Sequence, residues 1–345
     1  MKKTYLLLVF ALLFNWTMAQ EYCAKSYNGY SVEYSADSKG KTLTFKVNDY
    51  AIEDVTHSGV KYSQILFKHG VTTMKKGFAE VPVVNANLML GVGDDVIVKV
   101  VSEDYVDIKL NNPLLPSRGT IYRNEDPQKI PYTIDPNSLV NDFYPQSIVE
   151  AGEPFILREA RGVNVYVNPF RYNAVTNTLR IYKSVTLQVI DDNTKSTNPL
   201  KVQSKSVAPV VNDVYRSLFI NYSAEKFANQ LAEEGEMLII YTSRDASAIQ
   251  PYIDWKRQKG FVVHTQVVST GTNVKSIIQT AYNSNPSLLY VQLVGDWAEI
   301  KSDLGTTQSA PMDPYMGCVA GSDYYPELIV GRFSASTAAQ VTVQV

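Results

Sequence analysis

Three carboxylates toward the end of the chain, Asp296, Asp323 and Glu327, are the side chains best placed to do chemistry. Asp296 follows an apolar run, Leu288-Leu-Tyr-Val-Gln-Leu-Val294, after a single Gly295. Asp323 and Glu327 lie in Gly321-Ser-Asp-Tyr-Tyr-Pro-Glu327, just ahead of a second apolar run, Leu328-Ile-Val-Gly-Arg-Phe333. Near-continuous apolar runs of this length mark parallel strands covered on both faces. Ligands of open α/β sheets bind in the crevice outside the carboxyl ends of the strands, so both acidic segments are expected to converge there. Oxygen donors gathered in this way suit calcium, which takes roughly six to eight of them from carboxylates and main-chain carbonyls. The Asp-x-Tyr-x-Glu spacing puts alternate groups on one side of an extended loop. Spacing alone favours solvated loop acids, or partners for Arg332, over a cation site.

Cysteine chemistry is the other possibility, and it requires a histidine to form and hold the thiolate. The chain has two cysteines, Cys23 and Cys318, and three histidines, His57, His69 and His264. His57 and His69 fall in a β-rich region. His264 sits inside an apolar strand pattern, where a packed neutral histidine is expected. The cysteines lie far apart in the chain and read as isolated thiols, without a disulfide framework or metal-binding spacing. Cys318 is too soft a donor for calcium and receives no catalytic role. Trp255 and Trp297 read as packing residues. Gly91-Val-Gly-Asp-Asp95 precedes a strand and no helix, so it reads as a turn and not a phosphate cradle.

The elements that must position these groups follow from periodicity. After Gly235, Met237–Thr242 reads as a buried strand. Asp245 is expected to cap a helix with Ile249, Tyr252, Ile253 and Lys256 on one face, ended by Gly260. Phe261–Val268 is the next strand, and Val274, Ile277, Ile278 and Ala281 make the stripe of a second helix. With Leu288–Val294 this is a β-α-β-α-β run, hence a mainly parallel sheet with helices on its faces. A further helix begins at Ala335, and the chain is expected to stop at Val345 part-way through this domain.

Upstream, Lys41–Ile190 reads as all β, with alternation in Thr42–Val47, Val96–Val101 and Tyr105–Leu110. Val163–Val167 is predicted to pair with Thr178–Ile190 as a hairpin. Prolines 113, 116, 127, 131 and 136 cluster between strands, and a β-sandwich-like fold follows. Asp191–Pro199 is polar and turn-rich, and Ser223–Gly235 reads as a charged, exposed linker of the kind proteases reach.

At 345 residues the chain has room for two folded units, and its charge of −2 is evenly interleaved. No basic patch points to nucleic acid. Met1-Lys-Lys, the apolar Leu6–Phe14 and the small residues of Thr17-Met-Ala19 read as a signal peptide cleaved before Gln20. That run is too short for a bilayer core of ~30 Å. No lipobox precedes Cys23 and no other segment reads as transmembrane, so a secreted or cell-surface protein is expected.

The C-terminal block resembles the first half of the gingipain-type cysteine peptidase domain. The words that carry the likeness are Asp254-Trp-Lys-Arg-Gln-Lys-Gly260, Leu293-Val-Gly-Asp296, Gly321–Glu327 and Ile329-Val-Gly-Arg-Phe-Ser334. Upstream, Ile130-Pro-Tyr132, Phe143-Tyr-Pro145, Glu153–Gly162, Tyr172–Tyr182 and Val214–Tyr222 resemble the propeptide of the same family. The resemblance implies a signal peptide (1–19), a β-rich propeptide (20–222), an activation segment (223–235) and the N-terminal part of a caspase-like α/β peptidase domain (236–345). It implies a calcium ion held by the carboxylates of Asp296, Asp323 and Glu327 and the main-chain carbonyls of Ala320 and Tyr325. The catalytic histidine and cysteine would come from later strands, beyond Val345, leaving this fragment alone inactive. The propeptide would act as an intramolecular inhibitor in the substrate cleft, approached by the loop Asn141–Pro145, and Lys226-Phe227 would be the activation bond. Asp142 stands in that loop with no basic residue, a departure that leaves arginine or lysine specificity open. The complete protein is thus expected to be a secreted cysteine endopeptidase zymogen acting on proteins or peptides. The rivals are a gingipain-like surface sortase (a transpeptidase) and a non-enzymatic surface protein with a degenerate peptidase domain.

Overall fold

A computed structural model describes residues 21–68, 70–93, 95–201, 206–223, 229–230, 235–306 and 309–345. The signal segment, His69 and Lys226-Phe227 lie outside the described residues.

Strict alternation builds the N-terminal unit as two facing antiparallel sheets. One runs in the order Glu21–Ser26, Tyr30–Asp37, Gly40–Val47, Thr178–Asp192 and Phe170–Asn173, with Asp95–Lys109 also paired along Thr178–Asp192. The other runs Phe155–Leu157, Ala160–Val167, Pro82–Leu90 and Val71–Thr72, with Val149–Ala151 also against Ala160–Val167. Val32 pairs with Phe45 and Tyr34 with Leu43, and these inward residues pack on Val84, Ala86, Leu88, Val163, Val165 and Val167 of the opposite sheet. The β-sandwich-like architecture is as expected. The hairpin of Val163–Val167 with Thr178–Ile190 does not form. Thr178–Asp192 folds back on Phe170–Asn173, with Phe170 opposite Ile181, and Val165 instead faces Ala86 across the second sheet. Both runs alternate toward one core, so period alone does not tell a paired strand from one in the facing layer.

Helix α1 (Pro209–Leu218), opened by a proline, buries Val211, Asn212 and Tyr215. It packs with Phe155, Phe219 and Leu289 in a cluster that joins the two units.

The C-terminal unit holds four parallel strands in the order Val262–Val268, Glu236–Thr242, Leu288–Val294 and Ile329–Phe333. Alternate residues of the second of these serve different cores. Leu238 and Ile240 face Ile278 on helix α3 (Lys275–Ser284) and Val274 just ahead of it. Met237, Ile239 and Tyr241 face Ile249, Tyr252 and Ile253 on helix α2 (Ala246–Gln258), and Val341 on helix α4 (Ala338–Gln344). Gly260, at φ 92°, lets the chain turn out of α2. Asp245 does not cap that helix through its side chain. Its fully buried carboxylate is taken bidentately by Arg244 at 2.9 Å for each nitrogen. His264 is not packed inside the sheet either. Val262–Val268 is an edge strand, and the half-exposed His264 ring meets Glu236 Oε2 at 2.7 Å.

Candidate functional site at the two rims of the sheet

The parallel sheet has a direction, and it separates the acidic segments. Asp296 lies past the carboxyl end of Leu288–Val294. It is exposed, accepts from Trp297 N at 2.8 Å and Ser334 Oγ at 3.1 Å, and donates its own N–H to Ala335 O. Gly295, at φ 124°, makes the turn that places it there. Asp323 and Glu327 precede Ile329–Phe333 and therefore sit at the amino end. Tyr290 pairs with Ile329 and Val294 with Phe333, so four residue steps of strand, about 13 Å at ~3.3 Å each, stand between the two rims. The expected convergence of all three carboxylates fails. One cation, with ligands roughly 2.3–2.6 Å away, cannot bind both groups.

Arg332 is partnered by none of the three. Its guanidinium grips Asp313 bidentately at 2.7 and 2.8 Å and donates to the carbonyls of Gly295 and Ile300. These bonds hold the Asp313 carboxyl below the usual carboxylate range.

At the amino rim, Glu327 is 1% exposed. Its Oε2 accepts from Val319 N at 2.7 Å and Ala320 N at 2.8 Å, while its buried Oε1 has no hydrogen-bond partner among the described residues. Burial pushes this carboxyl up to about 7, against the two backbone N–H groups and aided by the nearby Asp323 charge. Asp323 accepts from Tyr325 N at 2.9 Å on Oδ1, and Gly321, at φ 71°, completes the turn. Of the expected ligands, Ala320, Asp323, Tyr325 and Glu327 thus share one loop, and Asp296 does not. Among the described residues no three His, Cys, Asp or Glu side chains gather as a metal cluster.

The β unit docks on this same loop. The hairpin Phe155–Val167 drives Arg158, 8% exposed and at φ 55°, onto the starts of two strands. Arg158 Nη1 donates to Leu288 O at 2.9 Å and Glu327 O at 2.8 Å, and Nη2 to Pro286 O at 3.2 Å and Glu159 Oε1 at 3.1 Å. Asp323 Oδ2 accepts from Ile156 N at 2.8 Å and from Asn198 Nδ2 at 2.7 Å, while Asn198 Oδ1 receives Ser322 N. Asn198 is itself at φ 50°, and buried Arg161 holds its carbonyl at 3.0 Å. Tyr325 stacks on Phe155 at 3.9 Å and accepts from Asn164 through its hydroxyl. Sequence reasoning missed Arg158 and Asn198. A charged hairpin tip between apolar strands, and an asparagine in a turn, were the signals available.

The loop Asn141–Pro145 is held by the β unit: Asn173 donates to Asn141, Arg171 lies over Phe143, and Tyr144 pairs with Tyr172. Cys318 has Lys275 for a neighbour, which donates to its carbonyl at 2.6 Å, and burial pushes its thiol up, the opposite of an activated nucleophile. His57 stacks on Tyr132 in the β unit, far along the chain from Cys318.

Comparison with known proteins gives the family. Residues 31–228 match the C25 propeptide family, and residues 230–345 match peptidase family C25. Gingipain R1 of Porphyromonas gingivalis is 31% identical over 287 residues, covering 81% of this chain and 28% of that protein. Gingipain R2 of the same organism is 29% identical over 319 residues, covering 90% of this chain and 43% of that protein. The chain thus spans less than half the length of either relative. A solved complex of the RgpB pro- and mature domains from Porphyromonas gingivalis shares 27% identity, covering 58% of this chain and 96% of that chain with a TM-score of 0.49.

Proposed function

This chain belongs to peptidase family C25, and we propose that the complete protein is an exported cysteine endopeptidase made as a zymogen. The observation that carries the reading is the order of the two family matches along one chain, propeptide and then peptidase, meeting between residues 228 and 230. The β unit is the propeptide. Cys318 and His264 lack the mutual contact that nucleophilic catalysis needs, so the dyad is assigned to sequence outside this chain. There a histidine would take the proton of a cysteine thiol, and the thiolate would attack a peptide carbonyl. The contribution of these residues is to build the sheet whose carboxyl rim, around Gly295 and Ser334, forms one wall of the cleft. The β unit grips the opposite rim, and its loop Asn141–Pro145 is assigned, on the family resemblance, to cover the cleft and hold the enzyme latent. The segment 223–235 connects the two, with Lys226-Phe227 as the activation bond. Protein or peptide substrates and a secreted or cell-surface location complete the reading. Among the described residues no helix is long and apolar enough to cross a membrane.

A structural calcium ion belongs to the same proposal in reduced form. The orphaned, buried Glu327 Oε1 beside the Asp323 carboxylate fits a hard cation, and the carbonyls of Ala320 and Tyr325 are on the same loop. Bound there, calcium would cross-link the loop that leads into Ile329–Phe333. Asp296 is not part of that set.

The test is to express the complete protein, cut its linker, and assay cleavage of peptides with and without a thiol-alkylating reagent. Cleavage that appears on cutting and disappears on alkylation is expected. A cut protein that neither cleaves peptides nor takes up the reagent at a single cysteine removes the proposal, and N-terminal sequencing of the mature form checks Lys226-Phe227.

A further inference from the structure

Asp323 is claimed from two sides. A carboxylate presents about four lone-pair directions, and three N–H donors already occupy this one. Ile156 and Asn198 fill Oδ2, and Tyr325 takes one place on Oδ1. Two of these donors belong to the β unit, so the docked chain leaves Asp323 no free oxygen with which to bind a cation bidentately. Docking also seats the Arg158 guanidinium on the carbonyl of Glu327 at 2.8 Å. The guanidinium arrives already paired with Glu159 at 3.1 Å, so docking closes the space beside the loop without adding net charge there. The contact has no slack: a Cβ on Gly321 would lie 2.9 Å from Asp323 Oδ2 and 3.0 Å from Asn198 Oδ1. Meanwhile Oε1 of Glu327, a residue 1% exposed, finds no donor among the described residues of either unit. The loop is arranged so that the β unit satisfies one carboxylate and leaves the other wanting.

We propose that the β unit and a divalent cation compete for Asp323, so that cation binding to the acid loop drives the β unit off the peptidase once the linker is cut. The inference rests on the cation reading of the loop given above, and goes beyond it by assigning the ion a role in release. Departure of the β unit removes Ile156 N–H, the Asn198 amide and Arg158 together, opening both sides of Oδ2 to an ion. Linkage makes the effect reciprocal: the factor by which docking weakens the ion equals the factor by which the ion weakens docking. Loss of one bidentate carboxylate points to a coupling on the order of 10-fold or more. Before cutting, the tether keeps the local concentration of the β unit high and docking prevails. Cutting removes that advantage, and the ion then decides.

The experiment uses the whole chain, uncut and cut within 223–235. Size-exclusion chromatography in EDTA and in rising calcium reports docking, with sodium chloride at matched ionic strength to separate screening from binding. Calorimetry measures calcium affinity on the same samples. The expected result is co-elution of the two cut parts in EDTA, separation as calcium rises, and a calcium dissociation constant at least 10-fold weaker for the uncut chain. Asn198→Gly keeps the left-handed backbone while deleting the amide, and should release the β unit at lower calcium and tighten calcium binding in the uncut chain. Equal calcium affinity in cut and uncut chains, with elution unchanged by calcium, overturns the competition while leaving the cation site standing. An absence of calcium heat in both samples removes the cation reading and the competition together. Separation by sodium chloride as readily as by calcium assigns the effect to screening and also overturns it.

Discussion

Deleting the Arg158 side chain should cost more than any other single truncation at the junction of the two units. Its guanidinium serves Leu288 O at 2.9 Å, Glu327 O at 2.8 Å and Pro286 O at 3.2 Å, and the side chain is 7% exposed. Hydrogen bonds from a charged donor are worth about 1.5–3 kcal/mol each, and acceptors left buried carry a further penalty. Some rehydration offsets this, so Arg158→Ala is expected to destabilise by about 3–5 kcal/mol. The backbone adds a second, separable quantity. Arg158 opens a two-residue hairpin loop between Leu157 and Ala160 with φ at 55°, while Glu159 has no positive φ, a pattern in which glycine is the favoured first residue. Holding a side chain there costs roughly 1–2 kcal/mol. Arg158→Gly loses the same contacts but relieves that strain, so it should fall about 1–2 kcal/mol short of the alanine variant. Arg158→Lys keeps the charge without the planar fork and should lie between wild type and alanine. Urea unfolding followed by tryptophan fluorescence reads the C-terminal unit, because Trp255 and Trp297 both lie in it. A loss under about 1 kcal/mol for Arg158→Ala, or a glycine variant more stable than wild type, would refute the claim that this arginine holds the units together.

Three other outcomes follow from the same geometry. In chelator, Glu327 is pushed up to about 7 from 4.5, so its neutral form is the one the fold favours. Stability should be full below pH 4.5 and fall by about 3 kcal/mol as pH rises to about 7, a slope that Glu327→Gln should abolish in pH-dependent melting. Calcium should raise the melting temperature of the linker-cut chain; Asp323→Ala should remove that increment and Asp296→Ala should leave it, and loss of the increment in both would return Asp296 to the site. Asp313 is held below the usual carboxylate range by Arg332, so its contribution is present above pH 3.8 and disappears as the pH falls further. Asp313→Asn should remove that part of the acid unfolding limb, measured by circular dichroism.

Periodicity made much of the fold legible. Ile249, Tyr252 and Ile253 do face the sheet, as do Val274 and Ile278, because a 3.6-residue repeat leaves few other ways to bury them. Helix α1 was legible but missed: Val211, Val214, Tyr215 and Leu218 stand at i, i+3, i+4 and i+7 behind Pro209 in the first turn, a helical stripe set among Pro, Asn and Asp residues that also suit turns. Strand pairing in the β unit was beyond periodicity for the reason that Val163–Val167 and Thr178–Ile190 show: both alternate toward a shared core, and only the chain path decides which neighbours bond. His264 was misplaced because an apolar strand at a sheet edge has the same composition as one at its centre.

The candidate site shows a different limit. Asp296 follows one strand and Asp323 precedes the next, and in a parallel sheet those positions belong to opposite rims whatever the residues are. The separation is therefore implicit in the strand order of a parallel sheet, where direction, and not nearness to a strand end, decides the rim. Arg158 is another matter. Its partners are mostly main-chain carbonyls, which every residue possesses, so no partner signature in the sequence could point to it. What betrays it is strain, an arginine in a left-handed turn position that glycine would occupy more cheaply. Asn198 carries the same mark at φ 50°, and both residues are turned toward one loop of the peptidase unit. Two left-handed side chains converging on the stretch from Ser322 to Glu327 make the amino rim the point where this β unit is fastened.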